Sequence, residues 1–142
     1  MSFRKERKYK LTIYEFNILK DLLTKKGMQK LHEPRKINSL YYDNEYNEMF
    51  YHSEEGVLPR KKIRIRWYNT NFKSNLETKI SSIEGRFKTT KPVSVESIKD
   101  FPKHIVDQIY GGLTPSILVS YVREYFIVNN MRLTFDSYIK YT

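Results

Sequence analysis

Polar and apolar positions alternate with a period of two over much of this chain, and the alternation is clearest across residues 59–68, PRKKIRIRWY. Arg60, Lys62, Arg64 and Arg66 fall on one face of a strand and Lys61, Ile63, Ile65 and Trp67 on the other. The second face is mostly β-branched and aromatic, which suits burial. Four cations in a row repel one another unless an anion lies among them. A solvated edge strand is the plain explanation, because edges carry Lys and Arg to block pairing. Edge protection needs one or two charges rather than a full row. The sharper reading is a polyanion site, in which arginine offers planar forks to phosphate oxygens.

The remaining pattern predicts further strands and a few helices. Residues 3–11 read as a first strand, with Arg4, Glu6, Lys8 and Lys10 on one face. Thr12 and Glu15 form a capping box. The apolar stripe Ile13, Phe16, Leu19, Leu22 and Leu23 then predicts a helix that packs on a sheet and stops at Gly27. Residues 28–36 read as a polar connection that holds His32, and 37–42 as a second strand. Asp43 is placed to cap a short helix reaching about Tyr51, and 53–56 read as a turn. Residues 72–81 read as a hairpin partner of the basic strand, with Asn75, Glu77, Lys79 and Ser81 on one face. Residues 86–91 are a further basic stretch. Apolar spacing across 94–110 predicts helix, split at Pro102 and ended by Gly111-Gly112. Residues 117–129 and 131–138 read as a hairpin joined at Asn129-Asn130, whose side chains tolerate positive φ.

Composition narrows the function classes. The chain has 142 residues, no cysteine, three histidines and a formal charge of +10. That length predicts one domain over 1–142 with a real core. Disulfides and cysteine-based zinc sites are excluded, and scattered histidines argue against zinc catalysis. The charge favours anionic partners. No apolar run approaches the ~20 residues of a membrane helix, and the N-terminus has no apolar signal core; a cytoplasmic location is expected. Twelve tyrosines and eight phenylalanines fall mostly in predicted strands and read as strand packing.

Several strands carry charge on one face and apolar residues on the other. In a sandwich the charges would point into water. Alternatively the sheet curls into an antiparallel β-barrel with a basic lumen and with helices packed outside, an α+β fold. Such a lumen is costly unless water, metal and polyanion fill it.

The stretches Arg4–Tyr9, Asn38–Asp43, Lys62–Tyr68, Leu76–Lys79, Tyr121–Tyr125 and Asn130–Asp136 resemble, in order, the VTC domain. This is the polyphosphate polymerase domain of the CYTH and triphosphate tunnel metalloenzyme superfamily. The resemblance implies a tunnel barrel that binds ATP, another nucleoside triphosphate or inorganic polyphosphate together with Mn²⁺ or Mg²⁺. In the family's polymerases the γ-phosphate of ATP passes to a growing polyphosphate chain. By position, Lys8, Arg64, Arg66, Lys79, Arg123 and Arg132 look like the family's catalytic, phosphate-binding cations. Arg60 and Lys62 join them on the basic strand, and Lys88 resembles a further basic position. Glu6, Glu77 and Asp136 look like metal-binding carboxylates. Family members continue past this hairpin with further strands, a helix, a metal-binding Glu and more lysines. The chain is therefore expected to be a fragment, an incomplete tunnel, or one closed by a partner.

Phosphoryl transfer asks for in-line positioning and charge neutralisation, which clustered Arg and Lys provide. No Walker loop or Ser-His-Asp order is present. Three functions compete: a metal-dependent phosphotransferase, a noncatalytic polyphosphate- or nucleotide-binding module, and a nucleic-acid-binding domain. Stacking aromatics among the cations would mark the last, and Trp67 opposite the cations argues against it. Plain alternatives stand beside the site reading. Glu77 could be a cross-strand partner of Arg64 or Arg66, Asp136 a turn cap, and Arg123 and Arg132 partners of Glu124. A homo-oligomer is compatible with the sequence.

Overall fold

A computed structural model describes residues 6–94 and 97–142. It holds seven strands and two α-helices, an α+β arrangement built mostly on antiparallel pairing. The elements in chain order are α1 (Ile13–Lys25), β1 (Gln29–Asp43), α2 (Glu48–Glu55), β2 (Arg60–Tyr68), β3 (Asn71–Ser82), β4 (Gly85–Ser94), β5 (Ile105–Asp107), β6 (Gly111–Val128) and β7 (Met131–Tyr141), with a 3₁₀ turn at Ile98–Asp100. The sheet runs β4-β3-β2-β1-β6-β5, and β7 pairs with β6. The pairing among the described residues leaves the sheet unclosed. The chain divides into two compact units, residues up to 33 with 125–134, and residues 34–124 with 135–142.

The first unit carries α1, which starts as its capping box predicts. The Thr12 hydroxyl accepts from the Glu15 N–H and the Glu15 carboxylate from the Thr12 N–H, both at 3.1 Å. Gly27 ends it at φ +94°. The apolar stripe is less covered than expected: no α1 side chain is buried, and Ile13, Leu19 and Leu22 are exposed. From α1, Lys20 sits over the Phe126 ring at 5.5 Å. The strand expected at 3–11 is not formed where it is described. Residues 6–12 have no regular structure, and residues 3–5 lie outside the described residues. His32 is not in a loop. It belongs to β1, edge-on to Tyr125 at 5.6 Å.

The second unit holds the core. Ile63, Ile65 and Trp67 from β2 are buried with Tyr42, Met49, Phe101, Tyr110 and Leu113. Each such side chain contributes roughly 1.5–3 kcal/mol by leaving water. Helix α2 and the stretch from Phe101 to Leu113 therefore cover the apolar face of the sheet. Asp43 anchors α2: its Oδ1 accepts from Met49 N–H at 3.0 Å and its Oδ2 from Phe50 N–H at 3.1 Å. The helix runs on to Glu55, through the turn expected at 53–56, and stops at Gly56 with φ +71°.

Residues 94–110 depart from the helical prediction. Among the described residues Ser94 closes β4, and the regular structure beyond it is only the 3₁₀ turn and the short β5. Phe101 packs on Trp67 with ring centroids 5.1 Å apart, and Tyr42 donates its hydroxyl proton to the Pro102 carbonyl at 2.6 Å. Those tertiary contacts hold this stretch on the core, and Pro102 denies a helix its backbone donor. Val106 and Ile109, counted in the apolar stripe, are exposed instead. The Asn129-Asn130 turn forms as expected, both residues at positive φ.

Candidate functional site

Strand register builds the site within the second unit. Tyr41 lies opposite Arg64, Arg64 opposite Glu77, and Glu77 opposite Thr90. Directly opposed residues share a face, so these four side chains form one row across β1, β2, β3 and β4. The next row is Ser39, Arg66, Asn75 and Pro92. On the other side of Arg64 the row is Lys62, Lys79 and Lys88. Beyond it Arg60 meets Ser81, and Ser81 meets Arg86. The predicted cations of β2 are thus one column of a grid that backs onto the apolar core.

The two central arginines are held from their own sheet. Arg64 is buried, and its Nε and Nη2 both donate to Glu77 Oε1, at 2.8 and 2.7 Å. Its Nη1 donates to the Tyr41 hydroxyl at 3.1 Å. Burial alone would ease a proton off Arg64, but the Tyr41 and Glu77 oxygens outweigh it and raise its pKa. Arg66 donates from Nε to Ser39 Oγ and from Nη2 to the Tyr121 hydroxyl, each at 3.2 Å. Burial would likewise raise the Glu77 carboxyl; hydrogen bonds and charge from Arg64, then Lys88 and Arg66, hold it below the ordinary carboxylate range. Glu77 Oε2 faces Lys88 Nζ at 3.4 Å. Lys61, on the apolar side of the strand, is neutralised by Asp107 at 2.9 Å.

The lysine row is a different case. Lys62 and Lys79 make no hydrogen bond or ion pair among the described residues. The row spans roughly 10 Å, two inter-strand spacings. Like charges directly opposed across strands are destabilising. Lys79 shows the cost: partial desolvation first, then Arg64, Arg66 and Lys88, push its ammonium down to about 8, against a smaller opposing pull from Glu77.

The other expected site residues fall outside this grid. Arg123 forks onto Asp136, with Nε to Oδ1 at 2.7 Å and Nη2 to Oδ2 at 2.9 Å. Glu6, Lys8 and Arg132 belong to the first unit, where all three are exposed. A divalent cation needs several oxygen donors converging. Of the expected carboxylates in this unit, Glu77 is engaged by Arg64 and Lys88, and Asp136 by Arg123. The described residues hold no group of three His, Asp or Glu able to hold a metal ion. This donor set does not fit a resident divalent metal. Sequence reasoning missed Ser39, Tyr41 and Tyr121, the hydroxyls that steer the arginines. Ser39 and Tyr41 do alternate on β1, but only the pairing register shows that they face Arg66 and Arg64.

No described helix is long and apolar enough to cross a membrane. No curated protein matches the chain. The family model for the VTC domain matches residues 3–111, which takes in the whole of β1–β4 and leaves most of β6 and all of β7 outside the matched span. With three quarters of its length matched, this chain belongs to the VTC domain family.

Proposed function

We propose that the cationic face of β1–β4 binds the phosphate chain of ATP or inorganic polyphosphate and supports phosphoryl transfer of the polyphosphate polymerase kind. The observation that carries the reading is the row Lys62, Lys79 and Lys88 in direct register, with Lys79 pushed down to about 8 by partial desolvation and then by the cations Arg64, Arg66 and Lys88. A sheet face that stores like-charge repulsion is relieved by a linear anion laid along it. Lysine ammoniums supply mobile point charges for phosphate oxygens, while Arg64 and Arg66, held by Tyr41, Ser39 and Tyr121, keep a fixed positive field beneath. Membership of the VTC domain family supports a polyphosphate-related function. Closure of the sheet into a tunnel belongs to the same proposal and rests on the family resemblance. Mn²⁺ or Mg²⁺ is proposed as a companion of the nucleotide, carried on its own phosphate oxygens.

A noncatalytic phosphate-binding module is the second reading, favoured by the pairing of Glu77 and Asp136 with arginines. Nucleic acid fits less well, because Trp67 is buried on the opposite face and the Tyr41 and Tyr121 hydroxyls are bonded to arginines.

The test is Mn²⁺-dependent ATP turnover with detection of polyphosphate product, beside a Lys62→Gln, Lys79→Gln variant whose changes are both exposed. Turnover that falls in the variant supports the enzyme. Binding of tripolyphosphate without turnover, weakened in the variant, selects the module. Absence of tripolyphosphate binding rejects both.

A further inference from the structure

We infer that Glu77 is an internal counter-anion of this face, the group from which a bound phosphate chain takes over Lys88, and not a metal ligand. The inference rests on the phosphate-binding reading above. Its two carboxylate oxygens are held differently. Oε1 takes both Nε and Nη2 of buried Arg64, at 2.8 and 2.7 Å. Oε2 has the longer contact, 3.4 Å to Lys88, whose side chain is 49% exposed. One oxygen therefore sits in a short buried pair, and the other in a loose pair at the surface.

The surroundings are wrong for a divalent cation. Along β3 its same-face neighbours are Asn75 and Lys79. Across the sheet it meets Arg64 and Thr90, with Lys62, Arg66, Lys88 and Pro92 on the flanking rows. No second carboxylate occupies any of these positions. A metal entering here would meet Arg64, Lys79 and Lys88 and one acid whose two oxygens are already paired with cations.

The same surroundings suit an anion. A carboxylate offers the charge and paired oxygens of a phosphate edge, so Glu77 supplies at rest what a ligand supplies when bound. Its buried half must stay, because removing it leaves Arg64 as an uncompensated buried charge. Its surface half exchanges at little cost, since exposed ion pairs contribute little. Phosphate arriving over the lysine row takes Lys88, and Glu77 keeps Arg64 in place beneath it. Glu77 thus positions Arg64 and at the same time weakens the face for anions.

The measurement is calorimetric titration of inorganic tripolyphosphate into wild type, E77Q, K88Q and the double variant, once with EDTA and once with Mn²⁺. The glutamine oxygen still accepts from Arg64, so E77Q removes charge and keeps shape. E77Q is expected to bind tripolyphosphate about fivefold more tightly in EDTA, the factor for removing one like charge at solvent-screened contact range. The gain shrinks in the K88Q background. K88Q alone, altered at a half-exposed side chain, weakens binding in EDTA. Unchanged EDTA binding in E77Q with loss of the Mn²⁺-dependent part makes Glu77 a metal ligand and overturns the inference. Equal weakening in both buffers makes it merely structural and overturns it too, as does unchanged binding in K88Q. A wild type that binds no tripolyphosphate in either buffer overturns the phosphate-face reading itself.

Discussion

Lys79 stands between Lys62 and Lys88, in register with both, and its titration near 8 has a consequence for stability. Its ordinary value is 10.5. Between about 8 and 10.5 the unfolded chain binds more protons at this lysine than the folded one. Its contribution therefore opposes folding fully below about pH 8, and that opposition fades as pH rises toward 10.5. In low-salt buffer free of multivalent anions, Lys79→Met is expected to melt above wild type near pH 7, with a smaller gap near pH 9.5. A gap of equal size at both pH values would mean the lysine charge is not strained. Bound phosphate reverses the preference by favouring the ammonium. Tripolyphosphate binding should take up a proton at about pH 8–9, and affinity should fall across that range. Calorimetry in two buffers of different ionisation enthalpy reads the uptake directly. Glu77 has the opposite sign: its pKa is lowered, so it stabilises above the ordinary carboxylate range and loses that contribution in acid.

At the scale of elements, β2 carries the fold on one side and the candidate chemistry on the other. Ile65 is wholly buried and pairs across to Leu40 and Leu76. Ile65→Ala is expected to cost about 2–5 kcal/mol in urea unfolding. Lys62→Gln, exposed on the opposite face, should stay within about 0.5 kcal/mol of wild type in the same assay. Comparable losses at both positions would mean the two faces are not separated as described. The same strand explains why the arginines hold their places. Their backbone is pinned by the core, so Ser39, Tyr41 and Tyr121 need only orient the guanidinium groups.

For the whole molecule, a formal charge of +10 on 142 residues makes the folded state self-repelling. A ligand that binds only the folded chain stabilises it by mass action, about 2.7 kcal/mol when free ligand stands at a hundred times its dissociation constant. Tripolyphosphate should therefore raise the melting temperature of wild type clearly more than that of the Lys62→Gln, Lys79→Gln variant. Added salt should reduce the difference, because exposed charges are screened. An equal rise in both proteins would assign the effect to net charge rather than to this face.

What the sequence determined by itself is local. Period-two alternation identified β2 and its hairpin with β3, the Thr12–Glu15 box placed the start of α1, and the Asn-Asn pair placed the β6–β7 turn. Each depends on neighbours a few residues apart, and so survives whatever the rest of the chain does. The four cations of β2 were legible for the same reason. Tertiary structure decided the rest. Residues 94–110 have helical spacing, yet no α-helix forms among the described ones, and Phe101 and Tyr42 hold the stretch around Pro102 on the core. Of residues 28–36, which read as a polar connection, all but Met28 are held as strand in β1. The lysine row exists only through the register of three strands, because Lys62, Lys79 and Lys88 have no sequence spacing that announces them. Glu77 and Asp136, legible as carboxylates, become partners of Arg64 and Arg123 once pairing brings opposite charges within hydrogen-bonding distance. Local propensity is written in near neighbours, whereas the site is written in cross-strand neighbours, and only folding determines which residues those are.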